Sequence, residues 1–133
     1  MATTIPDAFL DLLQKKVALA NLATVNPDGS PQVTPVWFDY TDGKIRVNTA
    51  KGRVKARNMQ EGAPVALAIV DPDNVYRFIQ IRGRVTRATE EGASAHIDSL
   101  AKKYLGKDKY PFGQPGEERI RYEIEPGSVH TMG

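Results

Sequence analysis

Four cations, Lys51, Arg53, Lys55 and Arg57, fall within seven residues, directly after a short β-run, Ile45-Arg46-Val47-Asn48-Thr49. The pattern predicts a strand leading into the start of a helix, with positive charge crowded at the junction. Unpaired N–H groups at a helix start and the helix dipole both favour negative charge, so the arrangement suits an anion, above all a phosphate-bearing ligand. At about 100° per residue, Lys51 and Lys55 share one side of such a helix, and Arg53 and Arg57 share another. The plain alternative is a solvated basic face. An ordinary surface helix intersperses acids, yet none stands between Gly43 and Glu61, which favours binding.

Little else in the chain offers chemistry. There is no cysteine, which excludes disulfides, thiol catalysis and a cysteine-based metal site. His96 and His130 form no cluster, and no metal is expected. Tyr76, Tyr110 and His96 are conceivable proton donors, but each type is more often structural, so no catalytic residue is named. A net charge of +2 is too small for a nucleic-acid binder. With 133 residues, 41% hydrophobic and 26% charged, the chain reads as one globular domain, 1–133. The first residues lack a basic start and apolar run, and no apolar stretch nears the roughly 20 residues that span a bilayer. A soluble, cytoplasmic protein without membrane partners is expected.

The elements that must position these residues are mostly strands. Pro6 and Asp7 open a short helix with Phe9, Leu12 and Leu13 on one side. Residues 17–25 are apolar or small on both faces, as in a strand buried on both sides. Asn26-Pro27-Asp28-Gly29-Ser30 is a turn, and residues 32–40 form the second arm of a hairpin. Asp42-Gly43 turns again into a strand at 44–49. Residues 64–70 make a short apolar strand, closed by Asp71-Pro72-Asp73-Asn74. Residues 76–87 alternate: Phe78, Gln80, Arg82 and Arg84 share one face, Ile79, Ile81, Gly83 and Val85 the other. Gln80 and Arg82 read as solvent-facing. Thr89 caps a helix whose Ile97, Leu100, Ala101, Tyr104 and Leu105 recur at helical spacing, and Gly106 ends it. After a loop at 107–118, residues 119–125 form the last strand, with Ile120, Tyr122 and Ile124 inward. Six strands joined mainly by hairpins, with three short helices, predict a mainly β, six-stranded antiparallel barrel.

Gly29-Ser30-Pro31-Gln32-Val33-Thr34-Pro35-Val36-Trp37-Phe38 resembles the second strand of the pyridoxamine-phosphate-oxidase-like split β-barrel flavoproteins. Val47-Asn48-Thr49 followed by Arg53-Val54-Lys55-Ala56-Arg57-Asn58-Met59 resembles their phosphate-binding strand and helix. Val17-Ala18-Leu19-Ala20, residues 65–72 and the run from Lys103-Tyr104-Leu105-Gly106 to Tyr110-Pro111-Phe112 are similar to the small actinobacterial-type branch that uses the deazaflavin coenzyme F420. The resemblance implies a homodimer with a cofactor at its interface. Thr34, Pro35 and Val36 would run along the flat ring system, and Val47 and Asn48 would extend that platform. Thr49, Lys51, Arg53, Val54 and Lys55 would surround the phosphodiester and the start of the tail. Phe78 or Gln80 would reach the cofactor, across the dimer in one arrangement. Trp37 is either a stacking residue or an ordinary buried aromatic.

True pyridoxamine phosphate oxidases are longer and carry an arginine and a histidine in a last segment that grips their substrate. Here only His130 stands near the end, in what reads as a frayed, inert tail, so vitamin B6 oxidation is not expected. FMN ends at its monophosphate, whereas F420 continues into several glutamates. Four cations exceed the need of one phosphate, and guanidinium pairs with carboxylate bidentately, which favours F420 over FMN, with Arg53 and Arg57 on the tail. The expectation is an F420-dependent reductase of an unsaturated or quinone-like small molecule. The alternatives are an FMN oxidoreductase or a non-enzymatic F420 carrier.

Overall fold

A computed structural model describes residues 3–133. Its strands are β1 (Ala20–Val25), β2 (Pro31–Val36), β3 (Asp39–Thr41), β4 (Lys44–Ala50), β5 (Pro64–Asp71), β6 (Asn74–Thr89) and β7 (Arg119–Met132). They form one antiparallel sheet in the order β2-β1-β5-β6-β7-β4-β3. β2 and β3 lie at opposite ends of that order, yet only Trp37 and Phe38 separate them in the chain. Two residues span on the order of 10 Å at most. The sheet must therefore curl until its edges lie side by side, and it does so with no ladder between them. The result is a split barrel.

The described residues hold seven strands, where the sequence reading expected six. Residues 32–40 are not one arm: the chain leaves β1 after Val36 and crosses to pair with β4. Phe38 sits fully buried at the crossing. Its N–H donates to Tyr104 Oη at 3.2 Å, and its carbonyl accepts from Lys103 Nζ at 2.7 Å. Side chains thus replace the ladder where it breaks, and the continuing apolar pattern conceals the break. Asp42 and Gly43 make the β3–β4 turn with φ of 53° and 75°, the left-handed pair that a two-residue hairpin requires.

β7 continues to Met132 and pairs with β6 along most of its length. His130 therefore stands in a ladder opposite Gln80, with its ring 6.4 Å from that of Phe78, and not in a frayed tail. β1 is shorter than expected and buried on one face only, since Leu19 and Val25 are exposed. The inward face of the sheet forms the core, including Leu22, Ile45, Leu67, Ile79, Ile81 and Tyr122.

Helix α1 (Leu10–Gln14), after a tight turn at Asp7–Phe9, adds Phe9, Leu12 and Leu13 to that core. An ionic tie fixes it to the β5–β6 hairpin. Arg77 donates to Asp11 at 2.7 Å and to Asp71 at 2.9 Å, and Lys16 donates to Asp71 at 2.7 Å. These partners, Lys16 foremost, hold the Asp71 carboxyl well below the usual carboxylate range.

Helix α2 (Val54–Asn58) is only five residues long. Lys51 and Arg53 precede it, so the four cations do not share helix faces, and so short a helix has little dipole. Helix α3 (Ala93–Leu105) lies across β7 and β4, burying His96, Ile97, Leu100 and Ala101. Gly92, and not Thr89, is its N-cap. Thr89 is the last residue of β6, and its Oγ1 accepts from the Glu91 N–H at 3.0 Å in a local turn. Gly106 ends α3 as expected.

Candidate functional site

The break between β2 and β3 leaves Trp37 half-buried at the rim of a cleft, where two further aromatic residues meet it. Trp37 stacks on Tyr104, centroids 5.2 Å apart and planes 5° from parallel, and meets Tyr110 edge-on at 6.0 Å. Tyr110 in turn meets Phe112 edge-on at 5.7 Å. Hydrogen bonds pin this wall. Tyr104 Oη donates to the Ala18 carbonyl at 2.6 Å, and Asp98 Oδ1 accepts from the Tyr110 N–H at 2.8 Å. Burial pushes the Tyr104 hydroxyl up to about 12, so it stays a neutral donor at ordinary pH.

The cleft encloses about 320 Å³. Trp37, Tyr110, Phe112 and Leu19 line it with Ile97 and Leu100 of α3 and with Pro35 and Val36 of β2. Asn48, Thr49, Arg53, Lys55 and Arg119 supply its polar part. Three of these five are cations. Among the described residues, neither Arg53 nor Lys55 lies within ion-pair distance of a carboxylate, whereas Arg119 is bonded to Glu117. Burial, then the positive charges of Arg53 and Arg119, hold the Lys55 ammonium below its usual range. Like charges in excess of the one acid beside them are costly to a fold, and such an excess suits the binding of an anion. An apolar, aromatic-walled cleft with a few convergent polar groups has the makeup of a small-molecule site.

Six of the expected site residues come together here: Pro35, Val36, Asn48, Thr49, Arg53 and Lys55. The others do not line the cleft. Val47 is buried in the core, as the inward phase of β4 requires. Thr34 points inward too, and its Oγ1 is buried without a hydrogen-bond partner among the described residues. Val54 is exposed at the start of α2. Lys51 is drawn away, 2.7 Å from Glu90 and 3.1 Å from Glu118, so acids distant in sequence offset it. Phe78 lines a separate depression of about 240 Å³ on the outer face of the sheet, with Asn21, Ala23, Val33, Ala66 and Gln80. A larger depression, about 600 Å³ around Gly83 and Pro126, holds none of the expected residues.

Sequence reading missed Leu19, Ile97, Leu100 and Arg119 as lining residues. Arg119 opens the last strand beyond a loop rich in Gly and Pro, and no local pattern ties it to residues 48–55. The β4–β7 ladder does, because Asn48 faces Arg121 and Ala50 faces Arg119 across it. Of the conceivable proton donors only Tyr110 lines the cleft. Tyr76 is three-quarters exposed on β6, and His96 is buried behind the cleft wall.

A model of the pyridoxamine 5'-phosphate oxidase family matches residues 5–133. The chain belongs to that family. Solved structures agree with this placement. One named as an F420 reductase is 29% identical, with a TM-score of 0.80, covering 95% of this chain and 98% of its own. A conserved hypothetical protein from Mycobacterium tuberculosis, 22% identical, has a TM-score of 0.73 over 98% of this chain and 86% of its own. HutZ, a heme storage protein from Vibrio cholerae, is 14% identical with a TM-score of 0.67, over 98% and 96%. The last two share the fold alone. A search of curated proteins found no significant match. No helix among the described residues is long and apolar enough to cross a membrane.

Proposed function

We propose that this chain is an oxidoreductase that uses coenzyme F420, transferring hydride from the reduced deazaflavin to an unsaturated or quinone-like small molecule. The observation that carries the reading is the cleft itself, where an aromatic and aliphatic enclosure adjoins three cations, two of them without carboxylate partners among the described residues. A flat ring system with a phosphate on its side chain is complementary to both halves. The likeness to the F420 reductase, at 29% identity over nearly the whole of both chains, favours the deazaflavin over FMN.

When bound, the deazaflavin supplies the hydride, and the chain supplies binding, orientation and exclusion of water. Trp37, Tyr110, Phe112 and Leu100 would enclose the ring, with Pro35 and Val36 as platform. Arg53, Lys55 and Arg119 would hold the phosphate, while Thr49 and Asn48 border it. Arg57, exposed on α2 beyond the cleft, would meet the tail with Arg53. We assign no side chain a catalytic role. A second copy of the chain would cover the outer face of β1, β2, β5 and β6, where Val33, Ala66, Ala68 and Phe78 lie, and would close the cofactor in. Location in the cytoplasm goes with this reading.

The test is reconstitution of the purified protein with F420 and, separately, with FMN, followed by fluorescence quenching. Preferential binding of F420, then oxidation of the reduced cofactor by a member of a panel of unsaturated lactones, quinones, tetrapyrroles and nitro compounds, is the expected result. Binding of FMN alone would overturn the cofactor assignment in favour of an FMN oxidoreductase on the same barrel. Tight F420 binding without turnover across the panel would favour a carrier.

A further inference from the structure

Arg119 is the most constrained cation of the cleft. Its side chain is nine-tenths buried. Its Nε–H donates to Asn48 Oδ1 at 2.8 Å, its Nη1 donates to Glu117, and the Tyr110 ring lies against the guanidinium with its centroid 5.1 Å from Cζ. Of the five N–H donors of a guanidinium, three remain for a ligand.

What holds Arg119 extends well behind the cleft. Asn48 Nδ2 donates to the Ala93 carbonyl at 2.8 Å and faces His96 Nδ1 at 3.2 Å. His96 Nε2 lies 3.0 Å from Asp39 Oδ2. Arg46 grips that carboxylate with both Nε, at 2.6 Å, and Nη2, at 2.9 Å. Burial alone would raise the Asp39 carboxyl, but its bonds to His96 and Arg46 outweigh that and hold it ionised. Only one assignment of hydrogens satisfies every member. The Ala93 carbonyl can only accept and the Arg119 Nε–H can only donate, so the Asn48 amide nitrogen faces the carbonyl and the amide oxygen faces Arg119. His96 then accepts at Nδ1 and donates from Nε2 to Asp39. Asp39 holds the imidazole with Nδ1 as an acceptor, that nitrogen and the Ala93 carbonyl together hold the amide, and the amide aims the guanidinium.

We infer that Arg119 reads the phosphate of the ligand and that His96 is its positioning residue, acting through Asn48. This rests on the reading above only in taking a ring-bearing phosphate ester as the ligand. The charges agree: three cations and the Glu117 carboxylate leave +2 at the polar end of the cleft, complementary to a phosphate group. A guanidinium already held at two nitrogens loses little freedom on binding, which makes it a better anion ligand than a free surface arginine.

Paired ligands that differ in the phosphate isolate this role: FMN against riboflavin, and F420 against its phosphate-free ring precursor, each titrated by fluorescence quenching. Arg119→Gln should weaken binding of the phosphate-bearing member by about tenfold or more and leave the phosphate-free member nearly unchanged. Arg119→Lys, which keeps the charge and loses the fork, should fall between. His96→Ala should lower the same ratio by about threefold although His96 does not line the cleft. His96→Gln serves if that variant does not fold. A merely structural role for His96 would weaken both members equally, and that result, or an unchanged ratio in the Arg119 variants, would overturn the inference. Should the wild-type protein bind neither ring pair, the proposed function falls. Calorimetry with inorganic pyrophosphate then decides the inference: loss of affinity in the same variants supports it, and no loss overturns it.

Discussion

At the residue scale, Lys55 sits in a setting that disfavours its charge. Its ammonium is half-buried beside Arg53 and Arg119, and its affinity for a proton is lowered by that setting. A cation whose folded pKa lies below its unfolded value destabilises the fold while charged, and the penalty disappears as pH rises through the folded pKa towards the ordinary lysine range. Lys55→Gln should therefore melt higher than wild type at neutral pH, and the gap should close as pH is raised. The same change should weaken cofactor binding by about tenfold, or about 1.4 kcal/mol. Calorimetric melting across a pH series and one ligand titration check both signs. Arg53 and Arg57 are exposed, and under the proposed function both meet the tail, Arg53 the phosphate as well. Their joint change to Gln should reduce affinity for full F420 far more than for its tail-less, phosphate-free precursor. Salt should weaken only the former, since the screening length falls from about 10 Å at 0.1 M to about 3 Å at 1 M. Equal losses for both ligands would remove the arginines from the tail.

At the element scale, β6 and β7 carry the longest ladder of the sheet, and it shifts register twice, around Gly83 and around Thr86. Gly83 is needed there for close approach. A Cβ built on it would lie 2.2 Å from the Glu125 carbonyl oxygen, which belongs to backbone and cannot swing aside. Gly83→Ala should cost about 1–3 kcal/mol, as overpacking does in a well-filled core. The melting temperature should fall by several degrees without loss of secondary structure, and an unchanged melting temperature would show that β7 yields freely. The phase of this strand was legible, because Ile79, Ile81 and Val85 alternate with wet residues. Its extent and its bulges were not. Register shifts answer to the partner strand, and the partner's residues 126–132 carry no strong strand pattern of their own. The β2–β3 break was hidden for a related reason, since Trp37 and Phe38 continue an apolar run whose ladder is replaced by Tyr104 and Lys103 from α3.

At the scale of the whole molecule, an open apolar face distinguishes this barrel. Val33 is 63% exposed on the outer side of the sheet, where Ala66, Ala68 and Phe78 line the same depression, and Tyr76, 75% exposed, stands two residues from Phe78 on β6. An apolar face of this kind is what a protein interface presents. Light scattering at micromolar concentration should give twice the 14.6 kDa chain mass. Phe78→Glu, which places a charge on this face and outside the cleft, should shift the protein towards monomer. A monomer in the wild type would remove the dimer and with it the proposed cover for the cofactor.

The sequence by itself determined the inward faces of β6 and of the first half of β7, the three hairpin turns, and Ile97, Leu100 and Ala101 as the buried stripe of α3, though not Leu105, which is exposed. Each follows from periodicity or from the φ demands of a few residues, which neighbours in the chain decide. It also marked the basic segment and six of the residues that the cleft gathers. The tertiary structure alone decided which cations serve that cleft. Lys51 is diverted to Glu90 and Glu118, which lie far along the chain, and Arg119 is brought in by the β4–β7 ladder. Charge interactions follow distance in space, and only the closed sheet sets those distances.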